Sequence, residues 1–282
     1  MIQYLYLGRI GYPESLALQQ ELVELRHQGR IENTLLLLEH PPVLTLGRNS
    51  NRTNILATDE MLARRGVTIH EINRGGDVTY HGPGQLVGYP IFDLRSLTNS
   101  TGGRLGPVDY VRRMEEALIR LCASYGVLTS RIPGRTGVWT PAAGRLLDGR
   151  SCPGERKIGA IGVHVSRGIT SHGFALNVTT DLRDFQWIVP CGIADRQVTS
   201  LELEIPPPHQ LPTLSQLADA AARQFGQIFN QQVLAIENLE ALRASAPSVP
   251  APQQIGVPMQ VPAEVERLIH KDATLPDKPI RT

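Results

Sequence analysis

Residues 74–86 read RGGDVTYHGPGQL, four glycines and a proline between two apolar runs, VTIHEIN and QLVGYPIFDL. No helix runs through such a passage, and the flanking runs read as strands, so the chain must turn there and leave much of its backbone accessible. A phosphate-binding loop would continue into Lys-Ser or Lys-Thr at a helix start, and neither that pattern nor the dinucleotide fingerprint is present. A metal site would need clustered ligands, yet His81, His164 and His172 are scattered, and no Cys-x-x-Cys or His-Glu-x-x-His occurs. Glycines instead let backbone approach a bound chain closely and present N–H groups to a carbonyl or oxyanion. That suits an acyl group in a narrow tunnel. KIGAIG (157–162) and SHGFALN (171–177) repeat the theme with alternating small and large residues. Tight turns and strand bulges are the plainer account of each stretch taken singly.

Around this passage, strands and helices alternate, but several strands are consecutive. GYPESLALQQELVELRHQGR predicts a helix starting at Pro13, with Leu18, Leu22 and Leu25 on one face and Gly29 as its stop. NTLLLLEH and VLTLGRN read as buried strands broken by Pro41 and Pro42, and Thr58 as the N-cap of a short helix. VDYVRRMEEALIRLCASYG is a strong helix with Val111, Met114, Leu118, Leu121 and Tyr125 at helical spacing. KIGAIGVHVSRG and ITSHGFALNVT read as a hairpin turning near Arg167 and Gly168. A further amphipathic helix, TLSQLADAAARQFGQIFN, and a short strand, QVLAI, follow. The pattern predicts an α/β chain of the α+β type: a mixed sheet with flanking helices. The expected division is a catalytic domain over 1–244 and a proline-rich, disordered tail over 245–282, with a short helix around AEVERLIHKD.

Composition narrows the function. The chain has 282 residues and a net charge of +1, so no global basic field argues for nucleic acid. No apolar run approaches the roughly 20 residues that span a bilayer, and the N-terminus lacks the features of a secretion signal, which predicts a soluble protein of the cytoplasm with no membrane partner. The three cysteines differ too much in setting to form a disulfide framework: Cys122 falls on the helical core stripe, Cys152 in a turn-rich insert, and Cys191 between a proline and a glycine, a place of display. Of 28 basic residues only Lys157, Lys271 and Lys278 are lysines. Lys157 is therefore the only lysine before the tail, and lysine, unlike arginine, can take part in proton transfer.

Three stretches together carry a resemblance. RGGDVTYHGPGQLVGYP closely resembles the signature of the octanoyl-[acyl-carrier-protein]:protein octanoyltransferases, also called lipoyl(octanoyl) transferases, and KIGAIGVHVSRGITSHGFALNV and FQWIVPCGI match further stretches in order and spacing. The resemblance covers roughly residues 1–235 and implies a biotin/lipoate protein ligase-like fold. It also implies an acyl-substrate site formed by Arg74, Gly75, Gly76, Asp77, Val78, Thr79, Tyr80, His81, Ala160, Ile161, Gly162, Gly173, Phe174 and Ala175. By the same resemblance Cys191 is the thiol that carries the acyl group, and Lys157 the residue that favours its thiolate. The implied partners are octanoyl-acyl carrier protein as donor, with lipoyl domains of 2-oxoacid dehydrogenase complexes and the glycine cleavage H protein as acceptors. No cofactor and no metal is expected. The insert holding Cys152 and the tail depart from the family pattern.

A free thiol is only a few per cent thiolate at neutral pH, so a neighbouring ammonium raises its reactive fraction. The residues then suggest a thioester on Cys191, aminolysed by the acceptor lysine, with Lys157 or the departing thiolate taking the proton. Backbone N–H groups near Gly75, Gly76 or residues 160–162 are the oxyanion candidates, and His81 either donates to the carbonyl or braces the loop. Arg48, Arg52, Arg74 and Arg135 could meet acidic carrier surfaces. The rivals are an ATP-dependent lipoate or biotin ligase, a cysteine hydrolase using His81, His164 or His172, and an acyl-carrier-binding module without activity.

Overall fold

The structure, a computed structural model, describes residues 1–99, 101–142, 144–145, 151–152, 154–189 and 197–244. These lie within one compact unit, Met1–Pro247. In chain order the elements are β1 (Ile2–Arg9), α1 (Tyr12–His27), β2 (Asn33–Glu39), β3 (Val43–Leu46), α2 (Asp59–Arg64), β4 (Thr68–Glu71), β5 (Val78–His81), β6 (Gln85–Ile91) and α3 (Pro107–Ala123). There follow β7 (Ser130–Ile132), β8 (Arg135–Thr140), β9 (Gly144–Arg145), β10 (Ser151–Cys152), β11 (Arg156–Ser166), β12 (Ile169–Asn177), β13 (Gln197–Val198), α4 (Leu201–Glu204), α5 (Leu214–Phe229), β14 (Val233–Ala235) and α6 (Leu239–Ala244). The mixed sheet with flanking helices is present as expected. Among the described residues a nine-stranded sheet runs β14-β1-β2-β6-β12-β11-β8-β7, with β13 on β11, beside a small sheet β4-β3-β5 and the pair β10-β9.

Local chemistry accounts for the boundaries. Pro13 sits in the first turn of α1, Thr58 accepts from the Met61 N–H to cap α2, and Thr213 with Gln216 closes a capping box on α5. Arg167 and Gly168 both take positive φ, +51° and +83°, the backbone a two-residue hairpin turn needs between β11 and β12. The two apolar runs split by Pro41 and Pro42 enter different sheets: β2 lies buried between β1 and β6, whereas β3 is the middle strand of the small sheet. β1 and α6 escape the sequence reading. Alternation along the strands sorts the core into two layers. Leu35, Leu37, Leu86, Phe174 and Leu176 pack with α3 and α5, while Leu36, Leu38, Val87, Tyr89 and Ala175 pack with α1. Cys122 is fully buried in the first layer, and burial pushes its thiol up to about 12, so it is an inert core residue.

Candidate active site

The glycine passage lies wedged between two backbones. A Cβ on Gly47 would stand 2.3 Å from the Gly76 carbonyl, and one on Gly162 2.8 Å from the Gly75 carbonyl, so only hydrogen fits at either contact. The Gly75 N–H donates to Val163 O at 2.9 Å, and the Arg48 N–H to Arg74 O at 3.0 Å. Gly75 N–H is thus committed and is not a free oxyanion donor. Arg74, buried, donates to Thr45 O and Oγ1 at 2.8 and 2.9 Å and to Gly75 O at 3.1 Å. Asp77 accepts from the N–H of Asn51 and Val78 and from Asn54 Nδ2, tying residues 51–54 to the passage.

A cavity with about 460 Å³ of empty space, its mouth included, opens between this passage, α1, β6 and the β11–β12 hairpin. Arg74, Gly75, Gly76, Thr79, His81, Ala160, Ile161, Gly162, Gly173, Phe174 and Ala175 line it, together with Tyr12, Tyr89 and His172, which the sequence reading did not place there. Asp77, Val78 and Tyr80 do not line it. Strand alternation explains two of these: Thr79 and His81 face the cavity, while Val78 and Tyr80 face a separate apolar cluster with Leu44, Leu62 and Phe185. The Tyr80 hydroxyl donates to Asp184 Oδ2 at 2.6 Å, fixing the 3₁₀ segment Leu182–Trp187. Tyr89 and His172 both lie within quoted motifs, RGGDVTYHGPGQLVGYP and SHGFALN. Tyr12 carried no such signal, since it reaches the cavity only because α1 packs there.

The cavity histidines His81 and His172, and His40 packed behind His81, are neutral, and their hydrogen bonds set their tautomers. His81 is pushed down to about 3, chiefly by burial and then by its neighbour His40. Gln85 Nε2 donates to Asn177 Oδ1 and Tyr80 O at 2.9 and 3.3 Å, so Gln85 Oε1 faces His81 Nδ1 at 2.7 Å and must accept its proton. His81 Nε2 is therefore an acceptor and cannot donate to a substrate carbonyl. His40 donates from Nδ1 to Ile10 O at 2.8 Å and accepts the Tyr89 hydroxyl at Nε2. Burial also holds His40 and His172 down at about 4, and the Arg74 charge adds to the effect at His172.

A second space shares Thr79, Ala160 and Ala175 with the cavity and ends at Lys157. Lys157 is 9% exposed, and its ammonium lies 5.2 Å from the centroid of the Trp139 ring, over its face. A Cβ on Gly137 would meet the lysine stem at 2.8 Å, so that glycine, at φ +122°, makes room for it. Cys191 lies outside the described residues. The described chain before it bonds Val189 N–H to Asn54 O at 2.8 Å, and the described chain after it pairs Gln197 and Val198 with Arg156 and Lys157. Among the described residues no group of His, Cys, Asp or Glu is placed to hold a metal, and no helix is long and apolar enough to cross a membrane.

Comparison with known proteins agrees with this architecture. The lipoyl protein ligase A/B catalytic domain family matches residues 11–226. An octanoyltransferase of Acidobacterium capsulatum is 66% identical over 239 residues, covering 84% of this chain and 94% of the relative. One of Koribacter versatilis is 50% identical over 272 residues, covering 96% and 98%. Among solved structures, a chain from the bipartite lipoate protein ligase and E2 lipoyl domain system of Thermoplasma acidophilum superposes with a TM-score of 0.62 over 87% of this chain and 90% of its own, at 16% identity. A Thermoplasma acidophilum protein with bound lipoic acid gives 0.61 over 86% and 92%, at 14% identity, and at such identities the likeness speaks to fold alone. The chain belongs to the lipoyl protein ligase A/B catalytic domain family and is an acyltransferase of its octanoyltransferase branch.

Proposed function

We propose that this enzyme moves an octanoyl group from octanoyl-acyl carrier protein to the acceptor lysine of lipoyl domains, through a thioester on Cys191. The observation that carries the reading is the cavity itself: a narrow space walled by glycine and alanine backbone and neutral rings, leading toward Lys157. Arg74, the one charged side chain in its lining, is turned to Thr45 and Gly75. An acyl chain would bury its methylenes there at about 0.8 kcal/mol each.

In the first step the Cys191 thiolate attacks the donor carbonyl, a carbon–sulfur bond forms to the enzyme, the carbon–sulfur bond to phosphopantetheine breaks, and the leaving sulfur takes up the proton that the Lys157 ammonium gives up. The exchange is near neutral in energy. In the second step the acceptor amine attacks the enzyme thioester, the amide forms, and Cys191 leaves as a thiolate. The amine, ordinarily an ammonium with a pKa of about 10.4, loses one proton to solvent before it attacks and a second to Lys157, left neutral by the first step, or to the departing thiolate. Lys157 is the cation we assign to thiolate stabilisation. Chain continuity supports the pairing, since Cys191 lies six residues before Gln197, which is held beside Arg156. His81, as a neutral acceptor braced by Gln85, holds the loop rather than donating to the carbonyl. Of the oxyanion candidates, Gly76 and residues 160–162 remain once Gly75 is assigned to Val163.

The acceptors in this reading are the lipoyl domains of 2-oxoacid dehydrogenase complexes and the glycine cleavage H protein, met in the cytoplasm with no cofactor. Residues 1–244 form the catalytic domain, and 245–282 a proline-rich tail. Intact-protein mass spectrometry after mixing with octanoyl-acyl carrier protein, without ATP, tests the proposal. An octanoyl mass increase that hydroxylamine removes and Cys191→Ala lacks is the expected result. Transfer that appears only with ATP and free octanoate would move the chain to the ligase chemistry.

A further inference from the structure

The far end of the cavity is closed by a side chain whose backbone breaks the rule of its strand. Alternation along β12 sends Thr170 and Phe174 toward α3 and α5: Thr170 Oγ1 lies 3.3 Å from the Tyr110 hydroxyl, and Phe174 stacks on Phe225. His172, midway between them, belongs on that face. Instead it sits at φ +55°, a region non-glycine residues rarely adopt, and its ring meets Tyr89 edge-on at 6.5 Å on the opposite face. Its Nε2 donates to Asn73 Oδ1 at 2.7 Å, and its backbone N–H donates to Gln19 Oε1 at 2.8 Å. The neighbouring strand allows the turn. The β6–β12 ladder stops at Gly88–Phe174, where Pro90 brings no N–H and a Cβ on Gly173 would stand 2.6 Å from the proline ring.

His172 lines two spaces at once. On one side is the acyl cavity; on the other is a surface groove with about 700 Å³ of empty space between α1 and the β11–β12 hairpin, bordered by Gln19, Asn73 and His164. Its ring is the partition between them. Val163, its partner on β11, is six residues from Lys157, so the two ends of the site stand about 20 Å apart along the strand. The acyl cavity takes up only the part of that length from Ala160 onward, about 10 Å to Val163, and the second space, lined by Lys157, Ile158 and Gly159, takes up the rest. An eight-carbon chain has seven carbon–carbon bonds of about 1.5 Å and reaches about 9 Å when zigzagged, whereas twelve carbons add roughly 5 Å and run into the ring.

We propose that His172, held by Asn73 and Gln19, is the back wall that sets the length of the transferred acyl chain. The proposal rests on the reading of this cavity as the acyl site. Its test uses the full chain and two readouts, affinity for free octanoate against dodecanoate, and transfer rates from the two acyl carrier thioesters. In open apolar space four more methylenes would tighten binding by roughly 200-fold. The native chain is expected to bind dodecanoate no more tightly than octanoate, and a hundredfold preference for dodecanoate would overturn the wall. In His172→Gly, which suits the positive φ, the dodecanoyl-to-octanoyl ratio is expected to rise at least tenfold in both readouts. His172→Asn, shorter and also tolerant of that backbone, is expected to raise it less. A ratio unchanged in either folded variant would overturn the proposal, because a merely structural role lowers both donors alike. Should neither variant fold, the native titration decides. Fatty-acid affinity needs no transfer, so a chain that binds octanoate but moves none from acyl carrier protein loses the proposed function and keeps the wall.

Discussion

On the α3/α5 face of the large sheet, Phe174 stacks on Phe225 at 5.5 Å, Phe225 on Phe229 at 5.8 Å, and Phe92 meets Phe229 edge-on at 5.3 Å, with Leu86 and Leu176 filling between them. On the opposite face the same strands carry Tyr89, Ala175 and His172, and the facing passage carries glycines, Thr79 and His81. One face buries rings against rings; the other packs Leu36, Leu38 and Val87 against α1 and beside them keeps an opening built from backbone and neutral imidazoles. The difference teaches that stability and chemistry are divided across a single sheet, one residue apart along each strand. Changes on the first face should therefore be read in unfolding, and changes on the second in turnover.

Phe225→Ala tests the first half with the largest expected effect. Removing a fully buried ring that touches three others is expected to cost about 3–5 kcal/mol, read as a lower urea midpoint, with transfer per folded molecule kept within a few-fold at low temperature. A large loss of turnover in the folded variant would mean that the faces are coupled. Lys157→Met, near-isosteric against Trp139, is the counterpart. It is expected to slow ATP-free octanoyl transfer by about 10²-fold or more, near 3 kcal/mol in the barrier, with little change in melting temperature.

The neutral histidines give the cavity face one stability signature of its own. His40 is held down at about 4, against about 6.5 in an unfolded chain. Between those values the unfolded state binds a proton that the folded state refuses, so stability is full above pH 6.5 and falls as pH drops toward 4. At pH 5 the loss attributable to His40 approaches about 2 kcal/mol. Urea midpoints measured from pH 7.5 to pH 5 are expected to fall more steeply for the native chain than for His40→Gln. Identical slopes would show that His40 does not carry the acid sensitivity.

The first face was the more legible in sequence. Met114, Leu118, Leu121 and Cys122 recur at helical spacing and are buried as expected, although Val111 and Tyr125 are only half-buried and Tyr110 takes the inner place. The glycine passage announced a backbone-built site, and the isolation of Lys157 singled out its lysine. Periodicity could not show that β3 and β5 leave the large sheet, because Pro41 and Pro42 mark a break without saying where the chain goes next. Nor could it show Tyr12 or the turned His172. Both depend on contacts between residues far apart in sequence, α1 against β12 and Asn73 against the hairpin.

Tyr80 belongs to neither face, and the smallest expected effect falls there. Its ring lies edge-on to Phe185 and Trp187 at 5.5 and 5.7 Å, and its hydroxyl, held neutral by burial and by Asp184, donates to that carboxylate. Asp184 is only half-buried, so water can replace the lost donor in Tyr80→Phe, and the cost is expected to be about 1 kcal/mol in the urea midpoint. If Leu182–Trp187 serves only as an anchor, transfer in this variant stays within about threefold of native, and the division between a packing face and a working face stands. A drop as deep as that of Lys157→Met would give this anchor a place in catalysis: the chain leading from Trp187 toward Cys191 would then depend on one phenol for its position, and the site would extend across the small sheet as well as the large one.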